Sequence, residues 1–274
     1  MIFYERPVAL NRAAHLGLKL DSKPGDFSFA AKTNSVLLAA TEIAEAAKDY
    51  PILFVGQAGG PFSLAAMVGL RDSENLFVDA DGAWTAGAYL PAFARRYPFV
   101  LAETDNVGED LTVCIDEAYA ALNDERGEAL FDADGKESPL LQNAVEFLKL
   151  FHAEMQTTRL FVQKLVDYDL LVQKSIQIQH QDRQAVLDGL FVVDQERLQA
   201  LDDAQALDLF RSGALYWIHA HLLSLKNVER LALRLAQAAP EAASTAAPEI
   251  AGSAAPERHG KSHKHDKSRN RAPR

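Results

Sequence analysis

The amino-acid composition changes abruptly after Gln237, and this change limits how much of the chain can fold. Residues 238–257 consist mainly of Ala, Pro, Ser and Glu without an aromatic residue, and residues 258–274 contain seven Lys or Arg and one acid, Asp266. Such segments bury too little apolar surface to offset the entropy lost when a chain is ordered. The composition therefore predicts one folded domain over residues 1–237, a disordered linker over residues 238–257 and a basic tail over residues 258–274.

The folded part and the tail carry opposite charges. The full sequence has 28 Lys and Arg against 38 Asp and Glu, a net charge of −10. Without residues 258–274 the balance is 21 against 37, which is near −16. An acidic domain repels phosphate backbones, so only the tail is expected to contact anions or nucleic acid, weakly and without sequence preference. We expect the main partner to be a protein, with homo-oligomers as an open alternative.

The sequence predicts neither an export signal nor a membrane-spanning segment. Residues 1–7 (MIFYERP) carry charge and a proline instead of a basic region followed by an apolar run, so no secretory signal is predicted. The sequence contains no run of about 18 apolar residues, so no transmembrane segment is predicted. Cys114 is the single cysteine, so an intrachain disulfide is impossible. Together these features predict a cytoplasmic protein, and a surface location would need a non-standard export route.

The N-terminal half shows the pattern of short β-strands joined by tight turns. Apolar runs predict strands at residues 52–56, 62–70, 75–78 and 111–116. Turns are predicted at residues 56–60 (GQAGG) and 71–74 (RDSE), and at the two Asp-Ala-Asp-Gly segments, 79–82 and 132–135. Connections this short favour antiparallel pairing.

The C-terminal half is mostly helical. Ser138-Pro139 is typical of a helix start, and apolar residues then recur at steps of four and three up to about Leu171, which predicts one long helix. A hairpin is predicted from strands at residues 176–178 and 185–193, and shorter helices follow Asp194 and Asp202. Residues 214–237 predict a last helix. Strands early and helices late predict an α+β fold with a mostly antiparallel sheet, a long central helix and a helical C-terminal part.

Several weak motifs are better explained by structure than by chemistry. The glycines of residues 56–60 lack the following helix that holds a phosphate. The Asp-Ala-Asp-Gly segments lack the remaining ligands of a calcium loop. His219 and His221 lie about 200° apart on a helix and cannot chelate one ion. Cys114 has no neighbouring cation in the sequence and is expected to be a small buried side chain, although activation by a distant histidine stays open. We therefore predict no metal, no cofactor and no catalytic residue.

Arg95 and Arg96 are the candidate site residues of the folded part. They are expected to end a short helix that Pro98 stops, where cations complement the helix dipole. Alternatively, one of them contacts an anion or a partner protein. Arg96 adjoins Tyr97-Pro98 and is expected to serve the fold, whereas Arg95 lies about 100° away on the helix and faces elsewhere.

Several of these segments together resemble the bacterial SapC family. The similarity covers most of the chain, from Phe3 to about Leu235, and its most specific parts are residues 95–99 (RRYPF) and 221–225 (HLLSL). It is carried by residues 26–35 (DFSFAAKTNS), 50–56 (YPILFVG), 74–79 (ENLFVD), 89–99 (YLPAFARRYPF), 189–194 (GLFVVD) and 212–225 (SGALYWIHAHLLSL). The resemblance implies a link to bacterial surface layers and to genes for TonB-dependent receptors and flavin-dependent tryptophan halogenases. It implies no catalytic residues.

Three functional hypotheses follow from the residues and the resemblance. The first is a non-enzymatic accessory or binding protein of a bacterial surface or uptake system. The second is an enzyme, or an accessory to one, that works with the halogenase or receptor machinery and holds an anionic substrate with Arg95 or Arg96. The third is a structural component of the surface layer.

Removing residues 238–274 should leave the melting temperature of the domain unchanged within error, because this segment is expected to bury almost no surface. Differential scanning calorimetry of the truncated and full chains measures the effect. A fall of several degrees would show that the tail stabilises the acidic domain.

Overall fold

The protein combines three antiparallel sheets with one long helix and a helical C-terminal part. The computed structural model describes residues 2–21, 23, 25–57, 60–103, 111–180 and 183–238. The strands are β1 (Pro7–Ala9), β2 (Lys19–Leu20), β3 (Ser35–Leu37), β4 (Ile52–Gly56), β5 (Phe62–Met67), β6 (Phe99–Glu103), β7 (Leu111–Asp116), β8 (Leu122–Asn123), β9 (Glu128–Ala129), β10 (Leu171–His180) and β11 (Arg183–Val193). The α-helices are α1 (Arg12–His15), α2 (Ile43–Ala46), α3 (Ala92–Arg95), α4 (Pro139–Asp167), α5 (Gln195–Gln199), α6 (Asp203–Arg211), α7 (Ala214–Ser224) and α8 (Asn227–Ala238).

Every strand pairing is antiparallel, which confirms the predicted α+β class. The largest sheet has the order β10-β11-β4-β5-β3, and two three-stranded sheets have the orders β1-β7-β6 and β8-β2-β9. β4 and β5 pair as antiparallel neighbours with Gly56 opposite Phe62, and residues 58 and 59 of the predicted turn lie outside the described residues. None of the described helices has the length and apolarity needed to cross a lipid bilayer.

Helix α4 joins two hydrophobic clusters. Ser138 caps its first turn by accepting a hydrogen bond from the backbone of Leu141, with Pro139 at the first helical position, as predicted. Near its start, Leu141 and Leu148 pack into a smaller cluster with strands β6 and β7. Further along, Phe161 and Leu165 pack into the main core beneath the five-stranded sheet. One helix of 29 residues, about 43 Å long, therefore holds both parts of the domain together.

The two Asp-Ala-Asp-Gly segments form tight turns, as predicted. Gly82 and Gly135 have φ of 82° and 74°, values that favour glycine. The Asp132 carboxylate accepts a hydrogen bond of 2.8 Å from the backbone N–H of Lys136 and closes its turn. These aspartates therefore bind their own backbone.

Several predicted elements differ from the structure. Residues 75–78 do not form a strand, because the side chain of Asn75 binds the carbonyl of Ala30 and the N–H of Phe77 and bends the backbone. Helix α4 ends at Asp167 and not near Leu171, since Asp169 adopts a φ of 52° and Leu171 already begins β10. The hairpin of β10 and β11 is longer than predicted.

The predicted last helix over residues 214–237 is two helices, α7 and α8. Ser224 ends α7 with its hydroxyl accepting from the N–H of Ile52 at 3.0 Å. Asn227 begins α8 and donates to the carbonyls of Ala47 and Tyr50 at 2.8 and 3.2 Å. The break lets these two buried side chains bind backbone groups that a continuous helix would leave unpaired. Except for Ala238, which ends α8, the predicted linker and tail lie outside the described residues.

His221 connects two strands of the main sheet. Within the described residues, β4 and β11 are paired at Phe54 and Phe191. The buried imidazole of His221 adds two further links, because its Nε2 accepts from Val193 N–H at 3.1 Å and its Nδ1 lies 2.9 Å from the Ile52 carbonyl. Nδ1 therefore carries the proton. Burial lowers the pKa of His221 to about 4, so the ring is neutral at physiological pH.

This depressed pKa predicts an acid-sensitive contribution to stability. Between pH 7 and 5 the unfolded chain protonates His221 near its ordinary pKa of about 6.5, while the folded chain does not. The free energy of unfolding should therefore fall by about 2 kcal/mol through this residue alone. Urea denaturation at both pH values should show a smaller fall for His221→Asn than for the wild type.

The same substitution at exposed His219, on the same helix, is the matched control. His219→Asn should keep the wild-type pH dependence, since the carboxylates that also titrate are common to all three proteins. An equal fall for His221→Asn and the wild type would contradict the assignment of a neutral, buried His221.

Candidate anion-binding site

Helix α3 fixes the directions of both candidate arginines. The helix spans Ala92–Arg95, and Arg96 is its C-terminal cap, so the predicted short helix that ends in two arginines is confirmed. Its start is held by Glu42, whose Oε1 accepts from the N–H of Ala92 at 2.7 Å and from the hydroxyl of Tyr89 at 2.8 Å. Consecutive helical residues point about 100° apart. Arg95 and Arg96 accordingly line different grooves.

Arg95 lines an acidic groove of about 350 Å³. Its side chain is exposed, donates from Nε to the carbonyl of Leu90 at 3.2 Å, and lies 5.1 Å from the ring centre of Phe147. The same groove contains the carboxylates of Glu42, Glu45 and Glu154. Three carboxylates lower the local potential, so this groove is unfavourable for an anion.

Arg96 is held among aromatic rings on the other side of α3. Its guanidinium carbon lies 4.1 Å from the ring centre of Phe93, 5.2 Å from that of Phe151 and 5.5 Å from that of Tyr4. The hydroxyl of Tyr4 donates to the carbonyl of Phe99 at 2.7 Å and also interacts with the guanidinium. Burial raises the pKa of Tyr4 to about 12, so this hydroxyl is neutral and gives Arg96 no counter-charge.

The charge of Arg96 is not balanced by any described carboxylate. Within the described part of the chain, no Asp or Glu oxygen lies within 4.0 Å of its guanidinium nitrogens. Its Nε is buried and makes no hydrogen bond there. Burial lowers the pKa of Arg96, although an arginine stays protonated at neutral pH. A desolvated cation without a partner destabilises the protein, and an anion would offset that cost.

A cavity of about 500 Å³ opens beside this guanidinium, and we call it the Arg96 cavity. Two further polar side chains, His152 and Arg159, line it from α4. The other lining residues are apolar: Ile2, Leu37, Phe93, Leu101, Ala102, Leu148, Phe151 and Met155. The site is therefore a mostly apolar pocket with two arginines in its wall, the partly buried Arg96 and the exposed Arg159.

The sequence identifies Arg96 as a candidate site residue but does not predict which side chains surround it. Tyr4 lies 92 positions before Arg96, and Phe151 lies 55 positions after it. The apolar stripe of α4 predicts that His152 lies near the core, and the structure places it half-buried, 3.2 Å from the amide of Gln156. Its presence beside Arg96 follows only from the packing of α3 against α4.

The other candidate chemical groups lie away from this cavity. Cys114 is 9% exposed, and burial raises the pKa of its thiol, so the predicted small buried side chain is confirmed. His219 is exposed while His221 is buried, as their 200° separation predicts. Among the described residues, no group of three or more His, Cys, Asp or Glu could hold a metal ion.

Comparison with known families confirms the resemblance found in the sequence. The family model described as SapC matches residues 10–231, which is most of the chain. No curated protein and no solved structure matches the chain. The match spans α3, the whole of α4 and most of the Arg96 cavity.

Replacing Arg96 by Met should lower the free energy of unfolding by less than about 1 kcal/mol, or should raise it. Met keeps the apolar contacts with Phe93 and Phe151 and removes a partly buried charge that has no counter-ion among the described residues. Denaturant unfolding of the purified variant measures this value. Phe93→Ala, which truncates a buried side chain beside it, should cost about 3–5 kcal/mol and calibrates the assay.

A loss of more than about 3 kcal/mol in Arg96→Met would assign the guanidinium to the fold. The cavity would then be a consequence of packing, and Arg96 would not be a binding group.

Proposed function

This chain belongs to the SapC family, and we propose that it is a non-enzymatic accessory or binding protein of a bacterial surface or uptake system. In this proposal the Arg96 cavity is the binding site, and an anionic group of a partner protein pairs with the guanidinium. The proposed location is the cytoplasm, on the inner side of the machinery that the protein serves.

The partly buried, unbalanced charge of Arg96 is the observation that carries this proposal. Arginines with a purely structural role are usually paired with carboxylates or carbonyls, whereas the Nε of Arg96 makes no hydrogen bond within the described residues. The three rings around the guanidinium hold it in one place before any ligand arrives. A pre-positioned cation loses little entropy on binding, which favours recognition of an anion.

Our proposal assigns the two arginines in the opposite way to the sequence argument. The sequence predicts that Arg96 serves the fold and that Arg95 faces elsewhere, which leaves Arg95 as the residue available for a contact. The acidic groove around Arg95 disfavours an anion there, and Arg95 already binds the carbonyl of Leu90. Arg96 has both the cavity and the unmet hydrogen-bonding capacity.

An enzymatic role is the second candidate, and His152 is the observation that favours it. An imidazole beside an anion-binding arginine is a plausible general base if a substrate lies between them. His221 does not support this candidate, because both of its ring nitrogens make hydrogen bonds to backbone groups. The third hypothesis, a surface-layer component, rests on the family resemblance alone.

Replacing either arginine by Lys tests whether Arg96 or Arg95 is the residue that binds the partner. Arg96→Lys should lose most of the partner recovered from native lysate, because an ammonium cannot reproduce the planar, two-pronged contact of a guanidinium. Arg95→Lys, the matched control on the same helix, should keep it. Affinity capture followed by quantitative mass spectrometry measures recovery for both variants and the wild type.

Both variants should melt within about 4 °C of the wild type, since each substitution is expected to cost under about 1 kcal/mol. If Arg96→Lys remains folded and recovers the same partners as the wild type, the Arg96 cavity is not the partner site. If Arg95→Lys alone loses them, the sequence-based assignment is the correct one.

A further inference from the structure

We propose that the Arg96 cavity recognises a carboxylate attached directly to an apolar group. This inference rests on the proposed function, because it names the chemistry that the same site would accept. Two sources could supply that chemistry: a free organic acid, or the carboxyl terminus of a partner protein behind an apolar residue.

The geometry of the cation favours a carboxylate over a larger anion. Phe93 and Phe151 lie against Arg96, with the nearer ring centre 4.1 Å from the guanidinium carbon. These rings pack against the guanidinium and bury its Nε, so a ligand in the cavity would have to meet the terminal nitrogens of Arg96. The edge of a guanidinium matches the two oxygens of a carboxylate, which lie in one plane.

The start of α3 does not offer a phosphate its usual donors, and the polar side chains that line the cavity among the described residues are Arg96, His152 and Arg159. Phosphates commonly bind at the N-terminus of a helix, where several backbone N–H groups converge. The start of α3 is already occupied by the carboxylate of Glu42, which accepts from Ala92 N–H. A doubly charged phosphate would also have to leave water for mostly apolar walls, which costs more than moving a single charge.

The walls of the cavity determine what the carboxylate must be attached to. Leu37, Leu101, Leu148 and Met155 present hydrocarbon to the cavity, and Ala102 leaves room beside them. An apolar group gains roughly 25 cal/mol for each Å² removed from water here, while a polar group would lose its hydrogen bonds. At about 30 Å³ per water-sized atom, 500 Å³ holds about 17 non-hydrogen atoms.

Isothermal titration of the full chain with matched ligands tests this inference. The organic-acid probes are octanoate and 3-phenylpropionate, each paired with its neutral alcohol, 1-octanol and 3-phenylpropanol. Octyl phosphate and inorganic phosphate test the anion class. A short peptide that ends in Leu-Phe, with a free or an amidated carboxyl terminus, represents a partner protein.

We expect at least one carboxylate ligand, either an organic acid or the peptide with a free carboxyl terminus, to bind tightly. Its affinity should be at least tenfold higher than that of its neutral counterpart and at least tenfold higher than that of octyl phosphate. Arg96→Met should weaken that binding at least tenfold, because it removes the cation but keeps the walls. Ala102→Leu should weaken it similarly by filling the cavity while Arg96 stays intact. Arg95→Met, in the neighbouring groove, should bind like the wild type.

The two probe types identify the source. Tight binding of octanoate or 3-phenylpropionate without the peptide indicates an organic acid, and preference for the free peptide indicates a protein terminus. Equal binding of acids and alcohols, tighter binding of octyl phosphate, no binding of any carboxylate, or unchanged binding by Arg96→Met and Ala102→Leu would each overturn the inference.

Failure of this inference can be told apart from failure of the proposed function. If no carboxylate binds but Arg96→Lys still loses its partner, the cavity holds another anionic group and the proposed function stands. If carboxylates bind through Arg96 while Arg96→Lys keeps its partner, the cavity serves a ligand and not the partner protein.

Discussion

Burial of the apolar face of α4 is the constraint on which the rest of the domain depends. A helix of 29 residues presents more apolar surface than one small sheet can cover. The five-stranded sheet covers its C-terminal half, and β6 and β7 cover its N-terminal half. Helix α3 lies where these two coverings meet, with Phe93 contacting Phe151. The position of α3, and hence of both arginines, follows from how α4 is covered.

The candidate site lies at this junction because packing there is incomplete. Phe93 and Phe151 belong to the main core, whereas Leu148, one turn earlier on α4, belongs to the smaller cluster. All three line the Arg96 cavity. Protein interiors are otherwise closely packed, and ligand pockets are typically concave and mostly apolar, as this cavity is. In our proposal, the guanidinium of Arg96 in its wall makes this cavity favour negative charge.

Much of the local structure can be read from the sequence, because it depends on nearby residues. Ser138, Asp194 and Asp202 each cap the helix that follows them, since a short polar side chain reaches its own backbone. The errors occur where a distant partner changes the local preference. Asn75 bends a predicted strand through the carbonyl of Ala30, and the break between α7 and α8 depends on backbone groups about 180 residues away.

The sequence by itself determined the α+β class, the antiparallel pairing, the family and the two arginines at the end of a short helix. These follow from periodicity, turn residues and motifs within a few positions of one another. Only the tertiary structure decided that Arg96 lies among Tyr4, Phe93 and Phe151 beside a cavity, and that Arg95 faces carboxylates. The charge and solvation of a side chain depend on residues far apart in the chain, and their meeting is set by the packing of α3 against α4.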